Sequence, residues 1–315
     1  MALTLTEASR LLWCPGLVKL KRRPTGSLQE WLSGATYAPT ANQKGLRLIG
    51  IDSTEFLSSW AADINRLSLA GSETLRNIVK IEGLQKSLGW PYVKLYYGAL
   101  FYTHALLRVW GRAPSYFRSQ DLQPLRDMLY VYGVAPTCKL QTGQFLVCQD
   151  LANSAIELQP IASSGGSHEA VWRQLALALD ELRTSVVNGP FLSEDAKRID
   201  FELKALRSLM TDQGRNTSWP SLMRNNIQYR SGEGLWYPYR GKLRTEALQQ
   251  EIRSLMDGET NLQACLKTSG AELDQFRSAC SAIIVLTRSI ISDMARIGGS
   301  HSFVRYGTMK FEDSL

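Results

Sequence analysis

The sequence predicts a mainly α-helical fold, a helical bundle with a small β-hairpin insertion around residues 137–158. Residues 92–110 are apolar on nearly every face of a helix, which is typical of a helix in the middle of a bundle. Long segments of the second half repeat apolar residues at helical spacing. Strand-like patterns are confined to short stretches, so helices dominate the prediction.

The first stretch, residues 1–52, predicts an irregular basic lead-in with one short strand at Leu46–Ile51. Asp52 and the polar residues that follow it have the chemistry of a helix start. We therefore expect a helix from residue 53 to about Leu69 and a second helix over Glu73–Leu88.

Pro91 suits the first turn of the central helix, because its missing N–H would have no partner there. A further helix is predicted over Leu122–Tyr132, ended by Gly133. Residues 137–141 and 144–148 flank Thr142-Gly143 and predict a hairpin, with a third strand at 155–158.

The second half returns to helical spacing. The Ser-Gly-rich stretch 163–167 is a candidate hinge within a helical body that runs from residue 53 to 315. The expected helices are 168–187, 193–210, 219–228, 240–256 and 270–296.

Composition excludes several classes of protein. With 44% hydrophobic and 21% charged residues, the chain has enough apolar surface for a core and does not resemble a disordered protein. Five cysteines without metal-ligand spacing argue against a disulfide framework. The apolar stretches 93–110 and 278–294 contain charged residues, so we expect no membrane span and a cytoplasmic location.

The net charge of +7 favours anionic partners, with RNA among them. We expect no cofactor and no metal, because the sequence contains no zinc spacing, P-loop or nucleophile elbow. The stretch Asp200–Lys204 superficially matches the acidic-x-Lys element of a metal-dependent nuclease, with Glu202 and Lys204 in the key positions. That element requires a strand, whereas helical spacing continues through Met210.

Histidine is the usual proton-transfer group near neutral pH, and the chain has three: His104, His168 and His301. His104 lies in the predicted core helix, where a structural role is expected, and His168 lies at a helix start. His301 follows Arg296 at a spacing that permits a catalytic pair, although the intervening glycines equally fit the end of a helix.

The most specific pattern is Met223-Arg224-Asn225-Asn226-Ile227-Gln228-Tyr229-Arg230, an Arg and a polar residue followed by Tyr229. It resembles the motif of the HEPN superfamily, in which Arg and a later His cleave RNA without a metal. Tyr229 stands where that His is expected. An unperturbed tyrosine has a pKa of about 10 and is a poor base at neutral pH.

The wider resemblance is to the YaaC-like group of HEPN-related bacterial proteins and covers about residues 87–240. It includes the aromatic helix that begins at Trp90-Pro91-Tyr92, Gly143-Gln144-Phe145 and Leu235-Trp236-Tyr237-Pro238. The resemblance implies a HEPN-like bundle and a role in toxin–antitoxin, RNA-processing or phage-defence modules.

The replaced His favours a non-catalytic binding subunit or regulator with a protein partner or a homo-oligomer, and with RNA as a further partner. The alternatives are a metal-independent ribonuclease that uses Arg224 or Arg296 with His301, and the metal-dependent nuclease. The candidate binding residues share an Arg-and-aromatic composition that fits loop fastening, a protein interface or an RNA platform; they are Arg224, Asn225, Tyr229, Arg230, Trp236, Tyr237 and Arg240.

Overall fold

The computed structural model describes most of the chain. The described residues are 3–21, 23–79, 87–150, 153–161, 166–211, 218–230, 235–236, 245–267 and 270–310. The predicted strand and helix starts can be compared with the structure only within these ranges.

Helices form most of the described structure, and the chain is 67% helical, which confirms the mainly α prediction. In chain order the helices are α1 (Leu5–Ala8), α2 (Leu28–Ser33), α3 (Ser53–Val79), α4 (Gly89–Val109), α5 (Ser119–Val131), α6 (Ser167–Val187), α7 (Ser193–Leu209), α8 (Trp219–Asn225), α9 (Thr245–Met256), α10 (Leu262–Leu266) and α11 (Glu272–Gly298). A π-helical turn, Asn226–Arg230, continues directly from α8.

The β structure is larger than the predicted hairpin. Five antiparallel strands form one sheet in the order β1-β2-β5-β4-β3. The strands are β1 (Ala38–Asn42), β2 (Gly45–Ile49), β3 (Arg112–Phe117), β4 (Gly143–Asp150) and β5 (Ala155–Pro160). The chain is therefore mainly helical but not all-α.

The hairpin predicted between residues 137–141 and 144–148 is wrong. Thr137 lies outside any strand, and its hydroxyl donates to the carbonyl oxygens of Asn42 and Gly45. The actual partners of β4 are β3 and β5. The predicted strands near residues 46–51, 144–148 and 155–158 are present as β2, β4 and β5.

The lead-in, residues 1–52, contains α1, α2 and the β1–β2 hairpin, so it is more regular than the predicted irregular segment. Its regularity depends on long-range pairing, because β2 pairs with β5 more than a hundred positions later in the sequence. The candidate hinge falls largely outside the described residues, since 162–165 are not among them.

Helix α3 begins as predicted, because Asp52 Oδ1 accepts hydrogen bonds from the amides of Thr54 (2.7 Å) and Glu55 (3.2 Å). It does not end near Leu69 but continues to Val79. Gly71 lies inside it against the ring of Tyr102, where a Cβ atom would come within 2.8 Å of the ring. The glycine thus permits a close helix contact and does not end the helix.

The chain folds as two compact units. Unit 1 comprises residues 1–11, 67–103 and 175–291, and unit 2 comprises residues 12–66, 104–174 and 292–315.

Unit 2 contains the sheet, which has one apolar face. Leu48 lies opposite Ile156, and Val147 lies opposite both Leu158 and Ala113, and all five are buried. Because alternate residues of a strand share a face, this register aligns the apolar side chains of four strands. Helix α5 contacts β1, β3 and α2.

A buried ion pair lies in unit 2. Arg108 Nε is 3.3 Å from Asp63 Oδ2, and the two side chains are only 6% and 4% exposed. Burial lowers the pKa of Arg108, and the nearby Asp63 carboxylate raises it. The guanidinium also donates to Ser115 Oγ (3.4 Å) and to the His104 carbonyl oxygen (3.1 Å), so its charge has compensation on several sides.

Helix α11 and the turn after it, Glu272–His301, are long and apolar enough to cross a membrane, with an 18-residue window of mean hydropathy 1.3. However, 78% of that window is buried within the protein, as is usual for a core helix. Arg288 in this helix donates to the Met256 carbonyl oxygen (2.8 Å) and to Tyr102 Oη (3.3 Å).

We expect Asp63→Asn to lower the free energy of unfolding by about 3–5 kcal/mol, because it leaves the buried Arg108 charge without its carboxylate. The matched control is Asp150→Asn, which removes the more exposed partner of Arg47 (2.8 Å) and costs about 1 kcal/mol or less. Urea denaturation measures both values. Equal losses in the two variants would contradict a special role for the buried pair.

Candidate functional site

The candidate binding residues lie in unit 1, on α8, on the π-helical turn and at residues 235–236. Helix α8 begins with Trp219 and with Pro220 in its first turn, as the sequence predicted. The π-helical turn replaces the last α-helical turn expected near Gln228. π-Helical turns are rare and occur frequently at functional sites.

Arg224 lies on aromatic rings of helix α4. Its guanidinium carbon is 5.5 Å from the ring centroid of Tyr96 and 5.7 Å from that of Tyr97. Its NH1 group also donates to Gln228 Oε1 (3.0 Å). The aromatic faces attract the cation, and the geometry fits two cation–π contacts. Arg224 therefore fastens α8 to α4.

The rings below Arg224 belong to an aromatic cluster formed by Tyr92, Tyr96, Trp219 and Phe276. Tyr96 and Tyr92 stack on Phe276 with centroid distances of 6.2 and 6.5 Å, and Trp219 meets it edge-on at 6.2 Å. Phe276 is fully buried. Burial raises the pKa of Tyr92 to about 12, so its phenol is neutral at physiological pH.

Trp236 contacts both the π-helical turn and helix α4. Its Nε1 donates to the Ile227 carbonyl oxygen (2.6 Å), and its ring meets Trp90 edge-on at 5.6 Å. A Cβ atom on Gly89 would lie 2.4 Å from the Trp236 ring, so the contact requires glycine at this position. The Leu88 amide donates to the Leu235 carbonyl oxygen (2.9 Å).

The last two residues of the π-helical turn, Tyr229 and Arg230, face solvent. Tyr229 is 70% exposed, and Arg230, at the end of the π-helical turn, is also exposed. Asn225 is half-buried at the end of α8. The candidate residues Tyr237 and Arg240 lie outside the described residues. The structure therefore separates the set into anchors, Arg224 and Trp236, and an exposed pair, Tyr229 and Arg230.

The candidate catalytic residues Arg296 and His301 lie in unit 2 and have different partners. Arg296 donates to Asp293 Oδ1 (2.6 Å), whereas His301 Nδ1 lies 3.1 Å from Tyr306 Oη. Both side chains are exposed. The structure therefore does not bring this guanidinium and this imidazole into hydrogen-bond contact.

The acidic stretch near Glu202 is helical, as its spacing predicted. Glu202 accepts hydrogen bonds from Gln263 (2.5 Å) and Arg198 (3.2 Å), and Lys204 pairs with Asp200 (2.5 Å). Residues two apart on a helix do not face each other, so Glu202 and Lys204 cannot aim at one metal ion. Within the described ranges, no three His, Cys, Asp or Glu residues form a potential metal-binding group.

His104 lies in α4, one turn before Arg108. Its Nδ1 is 3.4 Å from Arg108 NH1. Burial, together with electrostatic interactions with Arg108, His168 and Arg66, lowers the pKa of His104 to about 3. The imidazole is therefore neutral at physiological pH, which fits the structural role that the sequence predicted.

The sequence analysis missed the role of Tyr96 and Tyr97 as the platform for Arg224. These tyrosines lie more than a hundred positions before the arginine, and their pairing depends on the fold. The only signal in the sequence was two adjacent tyrosines on an otherwise apolar helix.

Comparison with known proteins gives no match to a family model, a curated protein or a solved structure. The geometry of the described residues is therefore the basis for any functional proposal.

We expect Arg224→Met to lower the free energy of unfolding by about 1–2 kcal/mol, because it removes both ring contacts while keeping the length of the side chain. Arg230→Met, the matched exposed control, should change it by less than about 0.5 kcal/mol. Urea denaturation compares the two variants. A loss at Arg230 as large as the loss at Arg224 would show that Arg224 is not an anchor.

His104 should make the protein sensitive to mild acid. Its pKa is lowered in the folded state, so its contribution to stability is complete above the unfolded pKa of about 6.5 and is lost as pH falls toward about 3. We expect wild-type protein to lose about 1 kcal/mol more than His104→Gln between neutral pH and pH of about 5. This figure allows for the partial exposure of the ring.

Urea denaturation at the two pH values measures this difference, and His301→Gln is the matched control at an exposed histidine. Identical pH dependence of wild type and His104→Gln would contradict the proposed neutral imidazole.

Proposed function

We propose that this chain is a HEPN-like, non-catalytic binding subunit that contacts a protein partner through the exposed pair Tyr229 and Arg230. The proposal rests on one observation: the candidate binding residues divide into two that hold this part of the chain to helix α4 and two that are exposed. Arg224 and Trp236 hold the segment to the aromatic helix, while Tyr229 and Arg230 are left to solvent.

A rigid support favours binding, because ordering a flexible loop on association costs free energy. Arg224 limits the motion of α8 through two rings and Gln228. Trp236 limits the other end of the segment through a backbone carbonyl and Trp90. The exposed pair therefore lies on a turn that Trp236 holds at Ile227 and that follows a helix held by Arg224.

The chemistry of the exposed pair suits a protein interface. Tyrosine and arginine are enriched among the residues that contribute most to binding energy. Leu222 and Trp90, both partly exposed, add apolar surface on the same segment and on the helix that supports it. Large exposed apolar side chains of this kind support a contact role when they accompany arginine.

In this proposal Arg224 holds helix α8 in position for binding, and it has no catalytic role. Its guanidinium is occupied by the Tyr96 and Tyr97 faces and by Gln228, so it is poorly placed to stabilise a phosphate. Tyr229 takes the position at which the HEPN motif has its histidine. We place this subunit in an RNA-related or phage-defence system, in line with that resemblance.

The test is affinity capture of the tagged full-length chain from its native host, followed by quantification of the co-purified protein. We expect one partner in stoichiometric amount, and at least about tenfold less of it with the double variant Tyr229→Ala, Arg230→Ala, because truncated interface anchors commonly cost more than about 1.4 kcal/mol. The matched control is Tyr132→Ala, Arg253→Ala, which truncates an exposed tyrosine and an exposed arginine elsewhere.

A partner retained by the Tyr229–Arg230 double variant would contradict the proposed surface. A chain that purifies alone and monomeric would contradict the proposed function. Both variants should keep the wild-type urea midpoint, because the substituted side chains are exposed.

RNA is the second candidate partner, favoured by the net charge of +7 and by the ability of Tyr229 and Arg230 to stack on bases. Fluorescence polarisation with a labelled single-stranded RNA at two salt concentrations tests it. Salt-sensitive binding that the double variant loses would assign the surface to RNA. RNA cleavage that persists in EDTA and is lost in His301→Ala would instead support the metal-independent ribonuclease.

A further inference from the structure

A cleft of about 640 Å³ lies in unit 2, between the end of α5 and the irregular segment 134–141. Its volume falls in the range of small-molecule sites. Leu129 and Leu140 are buried and form its apolar base, and Val134 and Pro136 add apolar walls. The neighbouring Tyr130 is 89% exposed.

Arg126 lines this cleft and is held in one orientation by neutral oxygen atoms. Its NH1 donates to the Leu140 carbonyl oxygen (2.9 Å), and its NH2 donates to the Ser119 carbonyl oxygen and to Gln123 Oε1 (both 2.8 Å). Its Nε also donates to Gln123 Oε1 (3.2 Å). These bonds fix the position of the guanidinium, and the second N–H of NH1 has no acceptor among the residues that the structure describes.

Asp127, next in sequence to Arg126, accepts from Gln123 Nε2 (2.6 Å) and forms no ion pair with Arg126 among the described contacts. Arg126 has no carboxylate at ion-pair distance in the part of the chain that the structure describes. By contrast, a carboxylate oxygen lies within 3.5 Å of Arg47, Arg108, Arg173 and Arg183. Lys139, exposed on the cleft wall, adds a second positive charge. Two cations beside an apolar base complement an anion with an apolar body.

We propose that this cleft binds a small monocarboxylate with an aliphatic or aromatic body, of the class of medium-chain fatty acids. The carboxylate accepts from the remaining NH1 hydrogen of Arg126 and lies near the Lys139 ammonium. The apolar chain lies on Leu129, Leu140 and Val134. The site is in unit 2 and does not depend on the partner surface in unit 1.

Cys138 forms part of the wall and serves as a reporter. Burial raises the pKa of its thiol, so at neutral pH it is a protonated wall residue and not a nucleophile. Three of the other cysteines, Cys14, Cys265 and Cys280, are buried, whereas Cys148 is half-buried and provides an internal reference.

The experiment compares three ligands of equal chain length: octanoate, octanol and octylamine. Isothermal titration calorimetry on the full chain should give octanoate a Kd of about 0.1–1 mM, at least about tenfold tighter than octanol, with octylamine weaker still. Octanoate should also slow alkylation of Cys138 at mildly alkaline pH, measured by peptide mass spectrometry, while Cys148 reacts at its usual rate.

The variant Lys139→Glu should weaken octanoate at least about fivefold and leave octanol unchanged, since it reverses one charge at an exposed position. Lys19→Glu, at another exposed position of unit 2, is the matched control and should bind like wild type. Arg126→Met should reduce octanoate binding further. Because this variant also loses the bonds that hold Leu140, its fold is checked by circular dichroism.

Equal affinities for octanoate and octanol would overturn the proposal, as they would show an apolar crevice without an anion site. Octanoate binding that survives Lys139→Glu unchanged, or that leaves Cys138 alkylation unchanged, would overturn it as well. None of these results bears on the Tyr229–Arg230 surface, so failure of one proposal is distinguishable from failure of the other.

Discussion

A guanidinium group cannot leave water unless something replaces its hydration, and three arginines of this chain show three solutions to that constraint. Arg108 is buried beside the carboxylate of Asp63. Arg224 lies over the rings of Tyr96 and Tyr97. Arg126 is surrounded by carbonyl, hydroxyl and amide oxygen atoms.

The three solutions have different consequences for function. The Asp63 carboxylate balances the charge of Arg108, and this buried pair has a structural role. The tyrosine rings hold Arg224 by an attraction that also keeps the guanidinium close to the helix surface. The neutral oxygen atoms around Arg126 satisfy its hydrogen bonds but leave its charge in place. Neutral partners leave the positive charge in place at both Arg224 and Arg126, but Arg126 also lines a cleft with room for an anion.

The sequence predicted the helices well, because their signals are local. The Asp52 cap, Pro91 in a first turn and Gly133 after α5 all act within a few residues of the helix end. The two edge strands, β1 and β3, were missed for the opposite reason. Strand β3 contains Pro114 and β1 contains Pro39, which lower strand propensity, and both strands are at the edges of the sheet, where proline is tolerated.

Thr142-Gly143 also has the composition of a hairpin turn, yet Gly143 is the first residue of β4. That strand pairs with β3 and β5 and not with the residues just before the turn. Register of this kind depends on distant residues and cannot be derived from one local pattern. The same holds for the candidate site. The sequence located Arg224 and its aromatic neighbours, but only the fold shows that Tyr96 and Tyr97 hold the arginine while Tyr229 faces solvent.

We propose a non-catalytic role partly because Tyr229 stands where the HEPN motif that this segment resembles has a histidine, and the arrangement around Arg224 bears on that proposal. A catalytic pair requires a guanidinium that is free to meet a phosphate and a base beside it. In this chain the guanidinium of Arg224 stabilises the attachment of α8, and Tyr229 is an exposed phenol that offers apolar area and one hydrogen-bonding group. Both features favour the proposed binding role over proton transfer. For that reason the exposed pair, and not the arginine of the motif, is where we expect a partner to bind.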